Sequence, residues 1–264
     1  MGDNTLQGLL LASSSVMGEG PPLILLHGLF GMGNNLSMIA RPLSEHFTVY
    51  RLDLRNHGRS PRAESMTLTE MAEDVLAFMD ANHLSEASVL GHSLGGKVAM
   101  QLALLHPTRV SKLMVADIAP VAYASHHNNV FDGLNAVDLS LLTSRKDADL
   151  ILQQYIDEEE VRLFILTNLY RNDRGGFDWR INLSALQQCY AEISQANDAE
   201  GVYQGPTLFI KGELSDYISE GSHTIIKRMF PQSQIKVIPA TSHWLHAEQP
   251  GVFADLVKNF LLAD

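Results

Sequence analysis

The stretch Val89-Leu90-Gly91-His92-Ser93-Leu94-Gly95-Gly96-Lys97 decides the fold of this chain. An apolar run ends at a serine that has a glycine two residues before it and another two residues after it, and a helical pattern begins at once. This is the G-x-S-x-G pattern of a nucleophile elbow, a strained strand-to-helix turn that lifts the serine hydroxyl above the sheet edge. Side chains at Gly91 and Gly95 are expected to collide with the neighbouring strand and helix. The helix N-terminus at Ser93 favours developing negative charge.

Length, charge and cysteine content limit the possible classes of protein. The 264 residues suffice for one α/β domain with an inserted segment. A net charge of −11 argues against a nucleic-acid surface. The single Cys189 excludes a disulfide within the chain and favours a reducing compartment. With no signal-peptide pattern and no apolar run as long as a membrane span, we expect a soluble, cytoplasmic protein.

Strand-like apolar runs alternate with helical patterns along most of the chain. The strand-like runs are residues 23–26, 48–52, 89–90, 110–116, 207–211 and 234–238. A capping box at Thr67-x-x-Glu70 begins one helical pattern, and Pro250 begins the last. This alternation predicts the α/β class, with a mainly parallel sheet covered by helices on both faces.

The segment from about residue 121 to residue 205 breaks this rhythm, because it has helix-like segments and no convincing buried strand. We therefore predict a core of residues 1–120 and 206–264 with a helical cap of residues 121–205. The cap follows a strand that ends near Asp117, so it is expected to lie over the carboxyl ends of the strands. Open α/β sheets bind their ligands there.

A serine hydroxyl at an elbow needs a base that accepts its proton and a carboxylate that orients that base. The expected order along the chain is serine, acid, histidine. His243 lies after the last strand and before the final helix, which is the expected place for the base. We interpret His246 as shaping the same loop and His92 as packing under the elbow. The adjacent pair at residues 126–127 is weak evidence for a metal site, because no third spaced ligand accompanies it.

Two aspartates compete for the role of the acid. Asp117 ends the strand that follows the elbow helix, and Asp216 follows the penultimate strand. Elbow enzymes often place the acid three residues after the glycine that ends this strand, but here that position holds Ser215. The sequence favours Asp117 with Ser215 as an auxiliary hydrogen-bond partner, and Asp216 remains the alternative.

An oxyanion hole is the third requirement of this chemistry. One donor is expected to be the N–H of Leu94, directly after the nucleophile, and the other an N–H in the loop after the first buried strand. That loop is His27-Gly28-Leu29-Phe30-Gly31. Leu29 is the predicted second donor, with Phe30 as the alternative.

Five segments together resemble the α/β-hydrolase superfamily, and in particular the YbfF-type esterases. They are residues 27–31, the Asp53-Leu54-Arg55-Asn56-His57-Gly58-Arg59-Ser60-Pro61 stretch, the elbow at 91–97, Asp117-Ile118-Ala119-Pro120, and His243-Trp244-Leu245-His246-Ala247-Glu248. The resemblance implies the α/β-hydrolase fold, hydrolysis of small esters and of acyl-CoA thioesters, and a catalytic set of Ser93, Asp117 and His243 assisted by Ser215. The cap segment Trp179-Arg180-Ile181-Asn182 also matches the group, whereas residues 213–216 depart from its usual Gly-Asn-Ser stretch.

Several further roles follow with less support from the pattern. Phe30, Trp179 and Trp244 are predicted to contact the substrate. The loop of residues 53–61 is interpreted as bracing the elbow through Asp53 and Arg55. Lys97 is interpreted as attracting an anionic substrate or, equally, as a surface lysine or a partner of Asp53.

The predicted function is acyl transfer to water through Ser93, without metal or organic cofactor. A C–C bond hydrolase with the same three residues is the main alternative, and a non-catalytic ligand-binding relative is another. The apolar and aromatic residues of the cap favour small or medium acyl chains. The predicted partner is a small-molecule ester or thioester.

Overall fold

The computed structural model describes residues 8–263. Nine strands occur in this range: β1 (Ser13–Met17), β2 (Pro22–Leu26), β3 (Thr48–Leu52), β4 (Ala87–His92), β5 (Val110–Ala116), β6 (Leu169–Arg171), β7 (Phe177–Trp179), β8 (Thr207–Gly212) and β9 (Ser233–Ile238). Seven of them form one sheet in the order β1-β3-β2-β4-β5-β8-β9. Every pairing in this sheet is parallel except that of β1 with β3. The predicted α/β-hydrolase architecture is confirmed.

Eleven α-helices connect and cover the strands of this range. They are α1 (Ser37–Leu43), α2 (Leu68–Ala81), α3 (Leu94–Leu105), α4 (Asn128–Ala136), α5 (Arg145–Leu152), α6 (Glu159–Leu166), α7 (Leu183–Gln188), α8 (Tyr190–Ile193), α9 (His223–Met229), α10 (Leu245–Glu248) and α11 (Pro250–Leu262). Short 3₁₀ turns occupy Gly33–Leu36, Pro107–Arg109 and Glu220–Ser222. None of the helices within residues 8–263 combines the length and apolar character needed to cross a bilayer.

The sheet has a hydrophobic core on each face. Successive residues of a strand point to opposite faces, so β2 contributes Ile24 and Leu26 to one core and Leu23 and Leu25 to the other. Helices α2, α3 and α9 pack on the first face, and α1 and α11 pack on the second. The central strands are therefore buried on both sides, which explains their continuous apolar runs.

The inserted segment differs from the prediction in one respect. It contains five short helices, α4 to α8, but also an antiparallel hairpin in which β6 pairs with β7. The sequence did not reveal this hairpin, because its strands are three residues long and carry no extended apolar run. Strand β1 was also not predicted from the sequence.

Lys97 joins the cap to α3. Its Nζ donates to the backbone carbonyls of Val121 (2.9 Å), Ser194 (3.2 Å) and Gln195, and its side chain is buried. Acceptors at both ends of the inserted segment thus satisfy the three donors of the ammonium group. Burial lowers the pKa of Lys97 to about 8. The interpretations of Lys97 as a surface lysine and as a partner of Asp53 were wrong, because the ammonium group is buried against backbone carbonyls of the inserted segment.

Candidate active site

Ser93 lies in a strained turn between β4 and α3. Its φ of 52° and ψ of −118° lie in a region that residues other than glycine rarely adopt. Its N–H donates to the carbonyl of Ala116 on β5 at 3.0 Å. A Cβ on Gly91 would lie 2.0 Å from the carbonyl oxygen of Gly95, and one on Gly95 would lie 2.4 Å from that of Leu26. The expected requirement for glycine at both positions is confirmed.

Asp117 follows β5 directly and is completely buried, with a φ of 51°. Its Oδ2 accepts a hydrogen bond from His243 Nδ1 at 2.8 Å and another from Ser215 Oγ. Its Oδ1 accepts from the backbone N–H of Gly212 at 3.0 Å. Three donors from two segments, the end of β8 with the loop after it and the loop that carries His243, therefore hold this carboxylate in place.

The structure brings Asp117, and not Asp216, to His243. Asp216 is exposed at the rim of a cavity, and within residues 8–263 its carboxylate accepts no hydrogen bond. Ser215 is buried one residue earlier in the same loop and donates to Asp117 instead. Asp117 thus lies within hydrogen-bond distance of the imidazole, and Ser215 is a hydrogen-bond partner of Asp117.

Hydrogen bonding fixes the tautomer of His243. Because Nδ1 donates to the carboxylate of Asp117, Nε2 is the nitrogen of the neutral imidazole that can accept a proton. The ring of Tyr217 stacks on the imidazole, with ring centroids 4.1 Å apart and an angle of 24° between the planes. His243 and Ser93 line the same cavity.

The loop after β2 offers one backbone donor that is free and one that is not. The N–H of Phe30 donates to His57 Nε2 at 3.2 Å, whereas within residues 8–263 that of Leu29 meets no acceptor. Leu94 is the first residue of α3, so its N–H has no acceptor within the helix either. Both Leu29 and Leu94 lie beside Ser93 in a small pocket. The geometry thus favours Leu29 over Phe30 as the partner of Leu94.

The polar stretch of residues 53–61 supports this donor loop rather than the elbow. His57 accepts from Phe30, and the backbone N–H of Leu54 donates to His27 Nε2 at 3.0 Å. Asp53 instead accepts from the N–H of Gly33 at 2.7 Å. Arg55, the other residue expected at the elbow, forms a buried ion pair with α2, at 2.6 Å from Asp74. The predicted bracing of the elbow through Asp53 and Arg55 was therefore wrong.

A cavity of 680 Å³ opens between the core and the cap above Ser93. Phe30 and Trp244 line it, as expected for residues that contact a substrate. Trp179 does not line it: this residue is 5% exposed on β7 and packs in the hydrophobic core. Its prediction as a substrate-binding residue was wrong, because the hairpin turns the indole inward.

Comparison with known proteins identifies the family. Residues 21–151 match the family model described as the alpha/beta hydrolase fold. Esterase YbfF of Escherichia coli (strain K12) is 36% identical over 241 residues, which cover 91% of this chain and 92% of that protein. The sn-1-specific diacylglycerol lipase ABHD11 of Danio rerio is 37% identical over 253 residues, covering 92% and 79%. A marine microorganism esterase of known structure is 39% identical, with a TM-score of 0.93, and covers 96% of this chain and 100% of that one. The chain belongs to the α/β-hydrolase family, among the YbfF-type esterases.

Membership of this family agrees with the resemblance seen in the sequence and with the observed sheet order. The relatives are esterases and lipases, so this α/β-hydrolase is an ester-hydrolysing enzyme of the serine carboxylesterase type. The match with the marine esterase extends over nearly the whole chain, including the segment of residues 121–205.

Sequence reasoning missed several aromatic residues that surround His243. Tyr217 stacks on the imidazole, and Tyr123 O–H donates to the carbonyl of Tyr217 at 2.6 Å. Phe164 of the cap packs edge-on against Trp244, with ring centroids 4.4 Å apart. Tyr217 lies two residues after Ser215, and Tyr123 lies six residues after Asp117. These spacings are the only signals in the sequence, and neither forms a recognisable motif.

Buried histidines of this α/β-hydrolase predict a loss of stability in acid. Burial and the charge of nearby His27 lower the pKa of His57 from 6.5 to about 3. Below about pH 6.5 the unfolded chain binds a proton that the folded chain does not, so the free energy of unfolding decreases down to about pH 3. From pH 6.5 to 4.5 the contribution of His57 alone is about 2 kcal/mol.

Urea unfolding at a series of pH values between 7 and 4.5 measures this loss. The His57→Gln variant is expected to lose less stability across the series than the wild type. The exposed His223 provides the matched control, since the free energy of unfolding of His223→Gln should depend on pH as steeply as that of the wild type. The same dependence of unfolding free energy on pH in all three proteins would contradict the prediction.

Proposed function

We propose that this α/β-hydrolase cleaves carboxylic esters, including acyl-CoA thioesters, through an acyl-enzyme formed on Ser93. The 2.8 Å hydrogen bond from His243 Nδ1 to Asp117 Oδ2, beside a cavity that Ser93 lines, carries this proposal. An oriented imidazole with a free Nε2 is what a serine hydroxyl needs in order to become a nucleophile.

In the first step, Ser93 Oγ attacks the carbonyl carbon of the ester while His243 Nε2 accepts its proton. The negative charge that develops on the carbonyl oxygen is stabilised by the N–H groups of Leu29 and Leu94. Loss of one such donor typically costs about 3 kcal/mol in the transition state. When the tetrahedral intermediate collapses, the carbon–oxygen or carbon–sulfur bond breaks and the alcohol or thiol leaves with the proton from Nε2.

In the second step, a water molecule replaces the departed alcohol. His243 Nε2 accepts a proton from this water as the water oxygen attacks the acyl-enzyme carbonyl. Collapse of the second intermediate returns the proton to Ser93 Oγ and releases the carboxylic acid. Asp117 accepts the hydrogen bond from Nδ1 and stabilises the imidazolium, and Ser215 holds Asp117 in place by donating to the same Oδ2.

A C–C bond hydrolase would use the same three residues, so the reaction class has to be tested with substrates. The chain's similarity to an esterase and a diacylglycerol lipase supports ester cleavage. A ligand-binding protein without turnover would not need an acid, a base and two free backbone donors arranged around one serine.

The test is a set of initial rates for the wild type and Ser93→Ala on three substrates. They are p-nitrophenyl butyrate, butyryl-CoA with detection of the released thiol, and a vinylogous 1,5-diketone. We expect turnover of both acyl compounds by the wild type alone. Turnover of the diketone without ester hydrolysis would favour the C–C hydrolase, and equal rates for both proteins would exclude Ser93 as nucleophile.

A further inference from the structure

Two cavities of very different size meet at Ser93. The one described above has a volume of 680 Å³ and opens between core and cap; we call it the outer cavity. The second has a volume of 50 Å³ and is bounded by Leu94, Tyr190 and Ile193; we call it the inner pocket. Because Ser93 lines both, an ester or thioester bound at this serine has two spaces of unequal size for its acyl chain and its leaving group.

The position of His243 decides which substituent enters which space. A leaving alcohol or thiol must take its proton from Nε2 of this residue, so it has to depart on the imidazole side. His243 lines the outer cavity and does not line the inner pocket. With the carbonyl oxygen at the N–H groups of Leu29 and Leu94, the acyl chain is left with the inner pocket.

We propose that the inner pocket is the acyl subsite and restricts this enzyme to short acyl groups, from acetyl to butyryl, whereas the outer cavity accepts a large alcohol or thiol. This inference rests on the proposed function and adds to it the orientation in which the substrate binds. The preferred class of substrate is therefore a short-chain ester or thioester of a bulky leaving group.

The volume of the inner pocket sets the limit on chain length. A cavity of about 150 Å³ holds a benzene ring, with its six carbon atoms. A pocket of 50 Å³ is one third of that size and holds two or three carbon atoms beyond the carbonyl carbon. Longer chains fit only if a wall moves.

Hydrogen bonds and close packing hold the walls of the inner pocket in place. The hydroxyl of Tyr190 accepts from the N–H of His126 at 3.1 Å and pairs with His127 Nδ1 at 2.7 Å. The Tyr190 ring also packs edge-on against Phe131, with centroids 5.2 Å apart. Ile193 is 4% exposed and belongs to the hydrophobic core. An acyl chain cannot displace these side chains without disrupting the packing of the cap.

The first test varies one half of the substrate at a time. With p-nitrophenol as the constant leaving group, we expect kcat/KM to fall at least tenfold from butyryl to octanoyl. With acetyl as the constant acyl group, acetates of methanol, 1-butanol and 1-octanol should show no such fall. A preference for octanoyl over butyryl esters, or a tenfold fall along the acetates, would overturn the assignment.

The second test enlarges the inner pocket. Ile193→Ala is expected to raise the octanoyl-to-butyryl ratio of kcat/KM at least fivefold, and the milder Ile193→Val should raise it less. Leu186→Ala is the matched control, since Leu186 is buried in the same cap and lines neither cavity. An equal change in Leu186→Ala, or no change in either Ile193 variant, would overturn the proposal. The absence of any Ser93-dependent ester hydrolysis would instead reject the proposed function itself.

Discussion

Replacing His243 by alanine is expected to lower kcat for ester hydrolysis by about 10⁶-fold, the size of loss seen when the base of a serine triad is removed. Two of the other histidines that line the outer cavity, His92 and His246, cannot take over its role. The Nε2 of His92 already bonds to the carbonyl of His243 at 2.9 Å, and burial holds the pKa of His92 well below its usual value. Burial also lowers the pKa of His246 to about 4.

Initial rates on p-nitrophenyl butyrate at pH 7.5 measure this effect, with circular dichroism to verify folding. His223→Ala serves as the control, because His223 is exposed on α9 and lines neither cavity. It should retain the wild-type rate. If His243→Ala retained more than about one per cent of the wild-type kcat, a different base would be required.

Asp117→Asn is expected to lower kcat by about 10⁴-fold, as in other serine triads. The carboxylate accepts the Nδ1 proton of His243 and so keeps Nε2 free to act as a base. An amide can donate to Nδ1 instead, which would place the proton on Nε2 and block proton transfer from Ser93. The loss should appear in kcat more than in KM, because Asp117 is fully buried and lines neither cavity.

Asp216→Asn is the matched comparison, since it makes the same chemical change in the competing aspartate. Asp216 is exposed and accepts no hydrogen bond within residues 8–263, so most of the wild-type activity should remain. Full activity in Asp117→Asn together with a large loss in Asp216→Asn would show that the acid was assigned wrongly.

The parts of the site that depend on local sterics could be predicted from the sequence. The elbow is one, because the close approach of Gly91 to Gly95 and of Gly95 to the backbone of Leu26 leaves no room for side chains. The position of the loop at residues 27–31 could also be predicted, because it follows directly from the end of a buried strand. That the N–H of Phe30 in this loop donates to His57 could be learned only from the structure, because it depends on where His57 lies.

The parts that depend on long-range packing could not be predicted. The segment that begins at Trp179 matches the family in sequence, but the direction of the Trp179 side chain is set by the pairing of β6 with β7. The sequence does not show whether the Lys97 side chain on α3 faces solvent or the interior. Its carbonyl partners lie as far along the chain as Gln195. Strand β1 lacks an extended apolar run and is held at the sheet edge by its antiparallel pairing with β3.

The central claim is that the acyl group of the substrate is transferred to Ser93. The most direct test quenches the enzyme in acid during turnover of p-nitrophenyl butyrate and locates the added butyryl mass by peptide mapping. We predict the butyryl group on the peptide that carries Ser93, and none in the Ser93→Ala protein. A butyryl group on another residue, or turnover at the wild-type rate in Ser93→Ala, would contradict it.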